Sequence, residues 1–242
     1  MKVLLLSASL RSARGGQSLN SLAKELSQLD SKEELTNFLK EQAKYHKENF
    51  PTSLEGDFYK QYKDYRKSTN RNKGLSNSEV GLAAAAWKLI KQGNTVTIFS
   101  LSEAQSAHSA QKKLEPNQEL LDLISSSDAI LLSTPVYFGD RSSPAQYFFQ
   151  HIKISASSGV EMSSKFFAGI AAGAKRNGGQ ETTLIYSLVD ASLNGLLVVG
   201  NDSATTSQYG GTLHAGDIGT AAQDDYGINT AIGTGSRLSR AI

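Results

Sequence analysis

The chain has 242 residues, 39% of them hydrophobic, with a formal net charge of +2 and no cysteine. That length and composition suffice for one packed domain carrying an insertion, and the small charge gives no electrostatic reason to expect nucleic-acid or membrane binding. Without cysteine these residues cannot form a disulfide scaffold, a thiolate zinc site, a cysteine-ligated iron–sulfur cluster or a cysteine nucleophile.

The first element is a four-residue apolar run at 3–6. It is too short for a signal-peptide core or a membrane span, and no later run is long enough either, so the expectation is a soluble, cytoplasmic protein. Further runs follow at 96–99, 129–132, 166–172 and 196–199. Each is nearly continuous rather than alternating, as in strands buried on both faces. Helical patterns separate most of them, which predicts a βαβα order and a five-stranded parallel sheet.

Residues 12–75 break this rhythm. The segment is rich in Lys, Glu, Asn and Gln, yet Ser31 with Glu34 forms a capping-box pair. Leu22, Leu26 and Leu29, then Leu35, Phe38 and Leu39, make apolar stripes. A strand-to-helix loop normally has only a few residues, so 12–75 is expected to be a helical insertion within a domain spanning 1–242. Phe58, Tyr59, Tyr62 and Tyr65 alternate there with Lys60, Lys63, Arg66 and Lys67. Such interleaving can grip bases or acidic partners, but Glu55, Asp57 and Asp64 dilute the charge and favour an amphipathic helix packed on the domain.

A helix is expected over 78–92, capped by Gly93, then a short one over 119–125. Ser143-Pro144 marks a third helix start, and 181–192 is the fourth, closed by Asn194-Gly195. Residues 207–242 are rich in Gly, Thr, Ala and Asp without an apolar period, so no terminal helix is expected.

Ligands of open α/β sheets bind beyond the carboxyl ends of the strands, where strand order reverses. Three loops there are unusual. In the first, Ser9 and Arg11 follow the first strand; a hydroxyl, a guanidinium and a helix N-terminus together can hold phosphate. Ser76, Asn77 and Ser78 open the helix that leads into the second strand, and chain geometry favours them as the helix-borne ligands. Ser18 and Asn20 are the competing set, and plain helix capping is the ordinary role of such residues. The second loop carries Pro135, Val136, Tyr137, Phe138 and Gly139, whose backbone can meet a flavin edge while Tyr137 or Phe138 stacks on the ring. The third carries Ala172, Gly173, Ala174, Asn177, Gly178 and Gly179, where glycines permit close backbone approach to a ligand.

Together, Ser9-Leu10-Arg11, the run from Asp128 through Gly139, and Gly178-Gly179-Gln180-Glu181-Thr182-Thr183 resemble the flavodoxin-like NAD(P)H-dependent FMN reductases and quinone reductases. Gly195 to Gly200 is similar to that family's fifth strand, and Gly211-Thr212 with Gly233 to Arg237 to its final glycine-rich segment. The resemblance implies a doubly wound flavodoxin-like fold with FMN as cofactor and NAD(P)H as co-substrate. It implies electron transfer through the flavin to a quinone, free flavin or similar small acceptor, in a homo-oligomer (dimer or tetramer). The flavin carries the chemistry, so no catalytic side chain and no metal are expected. Arg176 and His214 are weaker candidates for contact with the nicotinamide or the ring. Two rivals remain: a flavodoxin-type electron carrier between proteins, and a non-catalytic interaction protein on the same scaffold.

Overall fold

The strands lie in one sheet whose central path is β2-β1-β3-β5-β6, all parallel along that path. The structure, a computed structural model, describes residues 1–12, 14, 19–51, 61, 64–65, 73–105, 116–202 and 209–242. Ser18 and, in the basic–aromatic segment, Glu55, Asp57, Phe58, Tyr59, Lys60, Tyr62, Lys63, Arg66 and Lys67 lie outside the described residues.

The five expected runs become β1 (Lys2–Ser7), β2 (Thr95–Ser100), β3 (Ala129–Tyr137), β5 (Phe166–Gly173) and β6 (Leu197–Val198). Two short strands raise the count from the expected five to seven. β4 (Asp140–Arg141) folds back antiparallel on β3, and β7 (Gly211–His214) runs parallel to β5. β6 pairs with the amino half of β5 and β7 with its carboxyl half, so the last strand position is filled in two pieces. Neither extra strand has an apolar run long enough to announce it.

β1 shows why the runs are continuous. Val3 and Leu5 enter one hydrophobic cluster, Leu4 and Leu6 the other, because alternate side chains leave opposite faces of a sheet covered on both sides. The first face carries α1 (Asn20–Ser27), α2 (Lys32–Asn49), α3 (Asn77–Lys91) and α8 (Asp225–Ala241). The second carries α4 (Leu101–Gln105), α5 (Gln118–Ser126) and α6 (Ser143–Ser157), and α7 (Gln180–Leu193) adds Ala191 to it.

Helices α1 and α2 lie within the described part of 12–75, and both follow the sequence pattern. The Ser31–Glu34 capping box starts α2, and Leu22, Leu26, Leu35 and Leu39 are buried in the same cluster as α3. Buried Arg14 joins these pieces. Its guanidinium pairs with Glu25 of α1 at 2.8 Å, bonds Gln42 of α2 at 2.8 Å, and donates to the Gly74 carbonyl at 3.3 Å. Elsewhere the helix boundaries fall within a residue or two of expectation. Ser142 rather than Ser143 occupies the N-cap of α6, which leaves Pro144 in the first turn.

The expectation of no terminal helix is corrected: α8 runs over 17 residues and packs on α3. It lacks a wide apolar stripe because small residues let two backbones approach closely. A Cβ at Gly235 would sit 2.7 Å from the Ala85 carbonyl oxygen. Thr230 and Thr234 return their hydroxyl protons to carbonyls one turn back, at 2.7 Å and 2.9 Å. Asp224 caps the helix by accepting from the Gly227 N–H.

Among the described residues no helix is long and apolar enough to cross a membrane. Tyr186, Val189 and Leu193 lie exposed at i, i+3 and i+7 on α7, beside exposed Leu197 and Val198 of β6.

Candidate functional site at the carboxyl ends of β1, β3 and β5

β1 lies between β2 and β3, so the chain's crossovers diverge beside it and leave a crevice at its carboxyl end. The loop leaving β1 is held at Ala8 from two sides. The Ala8 N–H donates to the Ser133 carbonyl at 2.9 Å, and the Ser142 hydroxyl donates to the Ala8 carbonyl at 2.7 Å. Ser133 in turn donates to the Ser78 carbonyl at 2.7 Å, which fixes the start of α3 against β3.

Ser76 Oγ lies 2.7 Å from Ser9 Oγ and 2.8 Å from Glu79 Oε2. A carboxylate only accepts, so Ser76 donates its one proton to Glu79 and accepts from Ser9. Glu79, 1% exposed, also accepts from the Ser76 N–H at 2.9 Å and the Ser7 hydroxyl at 2.9 Å. This network presents the first turn of α3, with N–H groups that no helical carbonyl can accept, to the crevice.

The crevice is a cleft of about 240 Å³. Ser9, Arg11, Ser76, Asn77 and Ser78 line one end, Pro135, Val136 and Tyr137 another side, and Ala172, Gly173 and Ala174 a third. Eleven of the sixteen residues expected from sequence therefore share one cleft. The other five, Phe138, Gly139, Asn177, Gly178 and Gly179, do not line it. Phe138 and Gly139 form the turn between β3 and β4 with φ of 54° and 81°, and Phe138 projects fully into solvent at its tip. Gly179 meets Gly139 so closely that a Cβ on it would lie 2.7 Å from the Gly139 Cα, and its φ of 102° suits glycine. Thr182 fastens the same contact by donating to the Gly139 carbonyl at 2.8 Å. The second and third loops thus touch just outside the cleft.

One expected residue has a side chain committed elsewhere, and one of the competing set lies away from the cleft. The Asn77 side chain donates to the Asp217 carbonyl at 2.9 Å and accepts from the Ala221 N–H at 3.2 Å, so it holds the loop that brings Ile218 to the cleft. Asn20 is exposed at the start of α1 and does not line the cleft.

The structure adds His46, Ala215 and Ile218 to the walls. His46 comes from α2, a helix of the insertion on which sequence analysis nominated no site residue. Its signal is visible in hindsight: Gln42 and His46 continue the buried face of Leu35, Leu39 and Ala43, where apolar residues are expected. Burial pushes the His46 imidazole down to about 4; Glu79 pulls against that shift and Arg11 adds to it. Burial also raises the Tyr137 phenol, and the Arg11 charge opposes it. The Arg11 guanidinium stands 5.6 Å from the centroid of the Phe50 ring.

A larger cavity of about 470 Å³ lies beyond the third loop, lined by Arg176, Asn177, Tyr209, His214 and Tyr226 among others. Arg176 pairs there with Asp224 at 3.5 Å, and Asp224 also accepts from the His214 N–H at 2.7 Å. Size does not identify the site. The smaller cleft alone combines a helix N-terminus, an arginine and the strand-order reversal.

Residues 68–210 match the family model described as NADPH-dependent FMN reductase. An iron–sulfur flavoprotein of Methanocaldococcus jannaschii is 32% identical over 124 residues, which cover 51% of this chain and 63% of that protein. An iron–sulfur flavoprotein of Methanosarcina thermophila is 28% identical over 121 residues, covering 50% and 59%. The chain thus spans less than two thirds of either relative, and it has no cysteine with which to ligate a cluster. Among solved structures, RosB with a bound 8-demethyl-8-formylriboflavin-5'-phosphate intermediate aligns at TM-score 0.56 and 10% identity, over 99% of this chain and 78% of that one. A flavone reductase aligns at TM-score 0.50 and 13% identity, over 100% and 62%. These two likenesses concern the fold. The family match covers more than half of the chain, which has the flavodoxin-like architecture expected of it and belongs to the NADPH-dependent FMN reductase family.

Proposed function

We propose that the cleft holds FMN and that the protein passes electrons from NAD(P)H through that flavin to a quinone, a free flavin or a similar small acceptor. The observation that carries this reading is the convergence of Ser9, Arg11 and the first turn of α3 with the ends of β3 and β5 in one cleft. The residues fit the group. A phosphate needs donors, and the cleft offers the Arg11 guanidinium and a helix N-terminus, with His46 in its wall, whose Nε2 has no partner among the described residues.

In this reading Ser9, Arg11, Ser76 and Ser78 surround the phosphate, with the Ser9 hydroxyl turning its proton from Ser76 to the ligand, and Asn77 lends its backbone while its side chain holds the 217–221 loop. Pro135, Val136, Tyr137, Ala172, Gly173 and Ala174 orient the ring. Phe138, Gly139, Asn177, Gly178 and Gly179 form a rim where the second and third loops meet. When bound, the flavin supplies the redox chemistry by accepting a hydride from reduced nicotinamide and returning two electrons to the acceptor. The protein's part is binding, orientation and exclusion of water. Assembly into a homo-oligomer belongs to the same proposal; the exposed Tyr186, Val189 and Leu193 stripe on α7 supports contact with a second copy.

The test is an absorption spectrum of the protein with added FMN, followed by NADPH and NADH without oxygen. The expected result is a flavin spectrum that shifts on binding and bleaches rapidly with one nicotinamide. Binding without bleaching would favour a carrier of electrons between proteins. No binding would overturn the reading.

A further inference from the structure

One wall of the cleft comes from outside the three loops. His46, 1% exposed, reaches it from the last turn of α2. The rings of Phe50 and Tyr65 pack around the imidazole, with centroids 5.2 Å and 6.4 Å away. The Tyr65 hydroxyl lies 3.3 Å from Nδ1. A neutral imidazole has one donor and one acceptor nitrogen. A phenol that donates to Nδ1 leaves the ring proton on Nε2.

Nε2 is buried and has no hydrogen-bond partner among the described residues. Such an orphan costs free energy unless something completes it. The rest of that end of the cleft is Arg11, the first turn of α3, and Ser9 and Ser76, whose hydroxyl protons go to Ser76 and Glu79, so the guanidinium and the helix N–H groups are its donors toward a ligand. A donor-lined recess with a second unsatisfied N–H calls for an anion with several acceptor oxygens.

We propose that His46 is a phosphate ligand of the flavin site, donating Nε2–H to a phosphate oxygen, with Tyr65 as the positioning residue that holds the tautomer. The inference rests on the reading of the cleft as an FMN site. Because burial keeps the ring neutral well below pH 7, His46 acts as a hydrogen-bond donor and Arg11 supplies the positive charge. The helical segment after β1 then contributes to cofactor recognition and does more than cover the sheet. A lysine or arginine in its place would put a second full charge beside Arg11 before the ligand arrives.

The experiment is a fluorescence titration of the full chain with FMN and with riboflavin, which lacks the phosphate, for wild type, H46L, H46Q and Y65F. H46L should weaken FMN about tenfold and leave riboflavin unchanged. H46Q should regain part of the loss, because its amide N–H reaches toward the same position, and Y65F should show a smaller loss confined to FMN. In the wild-type protein labelled with ¹⁵N-histidine, the His46 signals should report a neutral Nε2–H tautomer. That proton should move on addition of FMN or inorganic phosphate and stay in place with riboflavin. An unchanged FMN affinity in H46L, an equal loss for both flavins, or an Nδ1–H tautomer would overturn the inference while leaving the FMN site standing. Failure of the wild-type protein to bind either flavin would remove the FMN reading, and this inference with it.

Discussion

Ser76 Oγ lies 2.7 Å from Ser9 Oγ, so two serines 67 positions apart form one hydrogen-bonded edge of the cleft. The long segment between them does not separate the loop after β1 from the helix that completes it. That contact also places Arg11 beside the first turn of α3, where a phosphate would receive charge and backbone donors together.

Arg11→Ala should weaken FMN by about tenfold or more, because a charge-assisted and partly desolvated contact is lost. Riboflavin affinity should stay the same. Equilibrium titration with both flavins checks it, and equal losses for the two would place Arg11 away from the phosphate.

Asn77→Ala should behave differently. Its side chain ties down the 217–221 loop through two hydrogen bonds. FMN and riboflavin affinities are expected to fall together by a small factor, with a stability loss of about 1 kcal/mol. Titration and urea unfolding measure the two effects.

Arg14→Met should destabilise the fold by about 3 kcal/mol, since Glu25, Gln42 and the Gly74 carbonyl lose their shared partner. Glu25 is about one-third exposed, so solvent offsets part of its loss. A urea midpoint that does not move would refute the claim that this cluster holds α1 and α2 on the core.

Gly235→Val should cost about 1–3 kcal/mol, because its Cβ would meet backbone atoms of Ala85 that cannot rotate away. Thermal unfolding of the variant tests whether the α3–α8 contact requires a bare backbone.

Acid should destabilise the protein through its buried histidines. His46 has a folded pKa of about 4 against an ordinary value of 6.5, and burial also lowers that of His151. A histidine whose folded pKa is depressed binds more protons when unfolded, so stability rises with pH across that interval. The contribution is complete above about pH 6.5 and falls away toward pH 4. Urea midpoints at pH 7 and pH 5 should differ in that direction, and H46Q should reduce the difference. A midpoint independent of pH in the wild type would contradict the burial of these rings.

The parallel strands were legible because each is buried on both faces, and a continuous apolar run records that directly. Gly93 and Gly195, with φ of 82° and 90°, marked helix ends for an equally local reason. α8 was not legible. Its contact depends on the absence of side chains at Gly235 and on threonine hydroxyls satisfied within the helix, neither of which makes an apolar period. β7 is a four-residue strand, GTLH, without a continuous apolar run, and it pairs with the carboxyl half of β5 beyond β6, so it carries little signal of its own.

By itself the sequence determined which segments could be buried strands, where helices start and stop, and which three loops carry residues suited to a phosphate and a flavin. These are properties of neighbouring residues, set by side-chain period, capping and backbone freedom. Only the tertiary structure decided that Ser76 meets Ser9, that the Asn77 side chain holds the 217–221 loop, and that His46 joins the wall of the cleft. Each of those depends on which helix packs over the sheet and in which rotation. Packing among distant segments sets that rotation, and no local pattern encodes it.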